Sequence, residues 1–368
     1  MSRDLVIRYR APGGFSRVRI ACGGLDRLGA FTRLTTGARR AALVSDANVA
    51  ALYAPRALGA LHRSGVRASL VTLPPGERTK SAARLLRLWE LLSRLDLDRS
   101  AAVVALGGGV VGDLAGFAAA TWLRGIPWVC VPTSLLAQVD SSVGGKTGVN
   151  LKGGKNLLGV FHQPAGVLAD PETLATLPPR QLRAGLAEVV KTGMAVDARL
   201  FAWTERHTAR LLAADPVTLR EAVVRSIRAK ARVVRADERE REGGRRSSLN
   251  YGHTLGHALE AACGYRGLLH GEAVAIGMRV AAALSVRVAG LEPAVRERQD
   301  ALLDALELPR RMPPMTPAAL LCAMSRDKKR HAGRIRWVLT PRLGHASVPR
   351  LVSSRLVEAA LLEAGARA

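Results

Sequence analysis

Ala101-Ala102-Val103-Val104-Ala105-Leu106-Gly107-Gly108-Gly109-Val110 is the stretch on which the reading of the first half of the chain turns. Its first six residues are small or branched, apolar and uncharged, which predicts a strand buried on both faces. Three glycines end the run, and Val110–Ala120 beyond them has helical character. Where a strand hands over to a helix through glycines, backbone amides are left facing outward at the helix N-terminus, and a pyrophosphate can be held there. Two more apolar runs, Ala41–Ser45 and Ala68–Leu73, precede the helix-like stretches Ala47–Gly59 and Ser81–Leu95. Strands alternating with helices predict a parallel sheet, and so an α/β nucleotide-binding domain of Rossmann-like type. The triple glycine lacks the G-x-G-x-x-G spacing, and a plain tight turn accounts for it about equally well. Asp113 and Gly116, close behind it, tip the reading towards a phosphate cradle.

The second half reads differently. Pro179–Ala195, Asp197–Leu212, Val217–Ala236, Thr254–Cys263, Glu272–Ala289 and Pro293–Ala305 carry helical periodicity, and Ser354–Ala364 closes the chain. Pro178-Pro179 marks the change of character. The expected organisation is an α/β nucleotide-binding domain over residues 1–178 and a mainly α-helical metal- and substrate-binding domain over residues 179–368.

Composition excludes several classes. The chain has 368 residues, 48% hydrophobic and 23% charged, as a globular protein with a sizeable core would. Its apolar runs are too short to span a bilayer, and Met1-Ser2-Arg3-Asp4 does not begin a signal peptide, so a cytoplasmic protein is expected. Cys22, Cys130, Cys263 and Cys322 are scattered and form no C-x-x-C pair, which suits buried or idle thiols better than disulfides or a thiolate metal site. The net charge of +25 invites a nucleic-acid partner. The excess is dispersed arginine, however, and aromatics are only 4%, so base-stacking platforms are scarce and no nucleic acid is expected.

From the glycine turn to Lys191 the chain mixes glycines, hydroxyls, lysines and lone acids without forming an amphipathic face. Pro132-Thr133-Ser134 comes first, then Gln138-Val139-Asp140-Ser141-Ser142-Val143-Gly144-Gly145-Lys146, then Gly154-Lys155-Asn156. Lysines among glycines meet phosphates or carboxylates, so Lys146, Lys155 and Lys191 are candidate anion ligands. Asp140 is a candidate acceptor for a hydroxyl, with a helix cap as the equal alternative. Upstream, Asp46, Asn48, Glu77 and Lys80 stand at the ends of strand candidates, where a cofactor's ribose or amide can be held.

Three histidines and one acid suggest a metal. His253 and His257 are four apart and share a helix face; His270 follows, and Glu188 is a lone acid in an apolar segment. Two imidazoles, one carboxylate and an open position make a catalytic zinc site. Spacing alone leaves open which two histidines coordinate.

Taken together, Gly107–Gly116, Pro132–Asn156, Gly185–Lys191, Leu249–His257 and His270–Glu272 resemble the 3-dehydroquinate synthase family of sugar phosphate cyclases, over about Asp46 to Arg336. The resemblance implies a substrate, 3-deoxy-D-arabino-heptulosonate 7-phosphate, that is oxidised transiently, loses phosphate, is reduced and closes to 3-dehydroquinate. It implies bound NAD and a divalent metal, zinc or cobalt. It implies Glu188, His253 and His270 as ligands, leaving His257 on the phosphate side or handling protons. As cofactor contacts it implies Asp46, Asn48, Glu77, Lys80, Gly108, Gly109, Val110, Asp113, Thr133, Ser134, Thr176, Leu177 and Gln181. On the substrate it implies Asp140, Lys146, Lys155, Asn156, Lys191, Lys230, Arg246, Asn250 and Lys328. It also implies a homodimer in which Arg124 enters the neighbour's site. The loop Asp237–Arg246 is two residues longer than the family's, so its acid is Glu240 or Glu242, with Glu242 favoured by its distance from Arg246. The alternatives are a secondary-metabolite cyclase, such as an aminodehydroquinate synthase, and a metal-dependent polyol dehydrogenase that releases NADH.

Overall fold

The computed structural model describes residues 4–11, 14–151, 153–241, 243–326, 330–331, 334–347 and 349–367. They divide into two units. The first runs to Leu177 and takes in Leu219–Arg235 as well; the second holds Pro178–Thr218 and the chain from Ala236.

In chain order the first unit contains β1 (Leu5–Ala11), β2 (Gly14–Ile20), α1 (Leu28–Thr36), β3 (Arg40–Asp46), α2 (Ala47–Arg63), β4 (Arg67–Leu73), α3 (Ala82–Arg94), β5 (Ala102–Gly107) and α4 (Gly109–Thr121). Then come β6 (Trp128–Pro132), β7 (Lys146–Leu151), β8 (Gly154–Phe161) and β9 (Gly166–Ala169). Seven of these strands form one sheet in the order β1-β2-β9-β6-β5-β3-β4, and β7 and β8 pair separately. Every pairing in the large sheet is parallel except the β1–β2 hairpin. β5 is buried along its whole length, as its apolar run predicts. α1 and α2 pack Leu28, Phe31, Ala57 and Leu61 against Leu43, Val104, Val129 and Leu168 of the sheet.

The strand order places the site. The chain leaves β3 towards β4 on one side, then returns across β3 to form β5 on the other. β3 and β5 are therefore neighbours whose following segments diverge. The crevice at the carboxyl ends of two such strands is where open α/β sheets bind ligands. Asp46 ends β3 and Gly107 ends β5.

α5 (Pro179–Val196) and α6 (Ala198–Leu212) begin the second unit, and α7 (Pro216–Ala236) carries most of its length in the first. α8 (His253–Ala262), α9 (His270–Val288), α10 (Pro293–Ala305) and α11 (Pro317–Arg326) follow, then a small antiparallel sheet of β10 (Arg330–His331), β11 (Arg334–Trp337) and β12 (Arg350–Ser353), and finally α12 (Ser354–Glu363). α5 is buried from Ala184 to Ala195 and α9 through most of its length. No helix among the described residues is long and apolar enough to cross a membrane.

Candidate active site

In the second unit, Glu188 of α5, His253 at the start of α8 and His270 at the start of α9 present ligand atoms within 4.8 Å of one another. His270 Nε2 is 3.6 Å and His253 Nε2 3.9 Å from Glu188 Oε1. The other nitrogen of each ring is engaged: His253 Nδ1 lies 3.2 Å from the Tyr251 carbonyl, and His270 Nδ1 lies 3.0 Å from Glu260 Oε2. Acceptors at Nδ1 favour the tautomer with its proton there and turn the Nε2 lone pairs towards Glu188, as metal-ligating histidines require. Burial, then the Lys191 ammonium, holds the His253 imidazole well below its ordinary pKa, so it stays neutral and able to coordinate. The donor set fits a divalent metal such as zinc.

Lys191, one turn beyond Glu188, sets its ammonium 2.6 Å from Glu188 Oε2, and both side chains are almost wholly buried. His257 stands one turn beyond His253, the two rings meeting edge to face at 5.3 Å. It also belongs to an overlapping group of possible ligands with Glu260 and His270. Asn250 donates to Glu240, one of the two acids considered for that loop. Glu242 and Lys328 lie outside the described residues. Arg246 is buried, its backbone amide donating to Asp237 and its guanidinium to the Glu238 carbonyl. Gln181 is exposed in the first turn of α5.

In the first unit, α4 begins at a glycine N-cap that carries no capping side chain, so the first amides of a 13-residue helix are open to an anion. Gly108, Gly109, Asp113, Ser141, Gly145 and Lys146 line a small cavity at this turn, with Val110 partly buried beside it. Uncapped amides at such a turn suit a pyrophosphate, as NAD carries. Gly116 serves packing instead: a Cβ there would meet Thr147 Cγ2 at 2.6 Å and Trp128 at 3.0 Å. Thr133 donates its amide to the Gly107 carbonyl, and Ser134 Oγ accepts from Ala137 N. Asp46 caps α2 by accepting from the amides of Asn48 and Val49. Tyr53 holds Thr176 at 2.7 Å, just before Leu177.

Several expected partners come together. Lys80 donates to both Asp113 and Asn156. Glu77 Oε1 accepts from Asn150 Nδ2 at 2.8 Å and pairs with Lys155 at 3.2 Å, so groups assigned to cofactor and to substrate share one network. Lys230 of α7 pairs with Asp140, which lies in a π-turn over Ala137–Ser141. Arg124 stands elsewhere, in an exposed turn about 20 Å along α4 from the glycines. Leu123 and Arg124 both have left-handed backbone, at φ 49° and 68°. The preceding Trp122 is anchored through Nε1 to the Leu97 carbonyl, whereas Leu123 is exposed.

Sequence reasoning missed Tyr9, Gln163 and Glu260. Tyr9 is buried, donates to Gln163 Oε1 at 2.9 Å and accepts from Gly144 N, bracing the turn that presents Lys146. Nothing local marks it, because its partners are more than a hundred residues away. Glu260 did carry a signal: 253, 257 and 260 fall at i, i+4 and i+7, one stripe of a helix.

The fold is that of the sugar phosphate cyclases. A solved 2-deoxy-scyllo-inosose synthase, complexed with carbaglucose-6-phosphate, NAD+ and Co2+, superposes with TM-score 0.89 at 26% identity, over 98% of this chain and 100% of that one. The 2-epi-5-epi-valiolone synthase of Streptomyces hygroscopicus, with NAD+ and Zn2+ bound, superposes with TM-score 0.84 at 30% identity, over 94% and 96%. Residues 70–184 match the 3-dehydroquinate synthase N-terminal family model, and residues 185–330 match the C-terminal one. The 3-dehydroquinate synthase of Symbiobacterium thermophilum is 52% identical over 90% of this chain and 92% of its own. The chain belongs to the 3-dehydroquinate synthase family.

Proposed function

We infer that the chain converts 3-deoxy-D-arabino-heptulosonate 7-phosphate to 3-dehydroquinate and inorganic phosphate, a carbon–oxygen lyase step of the shikimate pathway leading to chorismate and the aromatic amino acids. The observation that carries this reading is the convergence of Glu188, His253 and His270 beside Lys191 in a chain 52% identical to a 3-dehydroquinate synthase. NAD and the divalent metal, zinc or cobalt, supply reversible hydride acceptance and Lewis-acid polarisation of the carbinol oxygen.

The chain's own residues bind, orient and move protons. Residues 1–178 are assigned to NAD: Gly108, Gly109 and Val110 at the pyrophosphate, and Asp46, Asn48, Glu77, Lys80, Asp113, Thr133, Ser134, Thr176 and Leu177 around the rest. Residues 179–368 are assigned to metal and substrate, with Gln181 of α5 added to the cofactor contacts. Lys191 holds a substrate hydroxyl beside Glu188 and stabilises negative charge as its proton leaves. His257 handles a proton on the phosphate side, as a positioned imidazole can in general acid–base work. Lys146, Lys155, Lys230, Arg246 and Lys328 neutralise the phosphate and carboxylate, while Asp140, Asn156, Asn250 and Glu242 hold hydroxyls. The working form is a cytoplasmic homodimer in which Arg124 of one subunit meets the phosphate held by the other.

The test is direct. Purified protein with zinc and NAD far below substrate should release phosphate and form 3-dehydroquinate without net NADH. Stoichiometric NADH would replace this reading with a polyol dehydrogenase; a different carbocycle from another sugar phosphate would replace it with a secondary-metabolite cyclase.

A further inference from the structure

His270 is the most exposed of the three residues assigned to the metal. Its side chain is 30% accessible, against 9% for His253 and 1% for Glu188. It occupies the first position of α9, so less of the ring is gripped by packing. A partly exposed imidazole can flip, which takes Nε2 away from Glu188, and can exchange its two neutral tautomers, which puts the proton on Nε2 and removes the lone pair a metal needs. One contact on the ring opposes this. Glu260 is buried, 5% accessible at its side chain, and its Oε2 lies 3.0 Å from His270 Nδ1. Glu260 reaches that point because it sits two turns beyond His253 on α8, the helix that supplies the other imidazole.

We propose that Glu260 is a positioning residue for the metal cluster: it accepts the Nδ1 proton of His270, fixes ring and tautomer, and so holds Nε2 on Glu188. The inference rests on the assignment of Glu188, His253 and His270 to a metal. A carboxylate behind a ligating histidine orients the ring and raises its basicity, and losing such a partner typically weakens metal binding by about 10- to 100-fold. His253 needs no counterpart side chain, because the Tyr251 carbonyl does the same at its Nδ1.

The experiment measures zinc affinity of the metal-stripped full chain by competition with a chromogenic chelator. Wild type, Glu260→Ala, Glu260→Gln, Glu188→Ala and His253→Ala are compared, with the visible absorption of each cobalt-loaded form and the melting temperature of each metal-free form. Glu260→Ala should bind zinc about 10- to 100-fold more weakly and show an altered cobalt spectrum. Glu260→Gln, whose amide oxygen still accepts from Nδ1, should lose less, and the metal-free melting temperature of this near-isosteric variant should stay close to wild type. Zinc affinity of Glu260→Ala within about threefold of wild type, while Glu188→Ala and His253→Ala lose theirs, overturns the positioning role and leaves the cluster standing. Loss on substituting Glu260 with full retention in Glu188→Ala and His253→Ala means that Glu260 ligates the metal itself with His257 and His270, and overturns both the proposal and the assignment of the cluster.

Discussion

Lys230 binds Asp140 twice, through the carboxylate and through the backbone carbonyl at 2.6 Å, across ninety residues of chain. Both side chains are largely buried, at 9% and 16% exposure. The ammonium thereby satisfies a carbonyl inside the π-turn and fixes the segment that leads to Lys146. Removing one member of such a pair leaves the other charged and desolvated, at about 3 kcal/mol or more. Lys230→Met should therefore lower the melting temperature and cut kcat/KM together. Lys230→Arg should not rescue it, because a planar guanidinium does not fit two oxygens arranged for a compact ammonium. A Lys230→Met protein of wild-type stability and activity would refute the argument.

The two overlapping ligand groups around His270 make opposite forecasts. With Glu188, His253 and His270 as the ligands, Glu188→Ala and His253→Ala should lose bound zinc. His257→Ala should keep its zinc and lose turnover by about 100-fold, the scale of a proton-handling group. Metal content by atomic absorption, measured beside activity, separates the cases. Zinc lost from His257→Ala but kept in His253→Ala would reverse the assignment.

Stability should fall on the acid side of neutrality. His162 sits after β8 with Nε2 3.1 Å from the Ile126 carbonyl, and burial lowers its pKa below the ordinary 6.5. The unfolded chain then takes up a proton that the folded one refuses, in the window between the lowered value and 6.5. The stability is complete above that window and is lost as pH falls through it. His162→Gln keeps a donor for the carbonyl without a titrating group, so its melting temperature should fall less steeply between about pH 7 and pH 5.5. Parallel curves for the two proteins would count against the idea. Buried His253 adds a slope of the same sign, so some should persist.

Arg124 offers a test of shared sites. Two successive non-glycine residues in the left-handed region cost about 1–2 kcal/mol each, and strain of that kind persists where it presents a group for use. If the turn lends Arg124 to a neighbour, a mixed dimer of Arg124→Ala with Glu188→Ala contains one site with both defects and one with neither. Half of its sites should then work. An inactive mixed dimer would show that each arginine serves its own subunit.

Legibility followed the range of the interactions. β3, β4 and β5 were readable because buried parallel strands are continuous apolar runs, and α5 to α10 because their periodicity is local. β1 and β2 were not: Leu5–Ala11 and Gly14–Ile20 alternate with arginine and become strands by pairing with each other and with β9. β7 and β8 escaped notice because their glycines argue for turns. Gly148 and Gly159 in fact pair with each other across the two strands, and neither has room for a side chain, a Cβ on Gly159 falling 2.0 Å from the Thr147 carbonyl oxygen. In the site, Glu188 and the histidines were visible as residue types. The placing of Asp140 was not, because its environment is set by Lys230 far along the chain.

The return of Leu219–Arg235 to the first unit bears on how the protein is made. A ribosome delivers the strands of the large sheet well before the helix that completes their unit, and Pro178–Thr218 must emerge in between. Until then Asp140 lacks its ammonium and the surface that α7 will cover stays open, so the nascent chain passes through a stage that is incomplete by construction and prone to misassociate. A gene divided between residues 184 and 185, where the two family matches meet, would freeze that stage: the first product would hold every strand of the large sheet and still lack a part of itself encoded in the second.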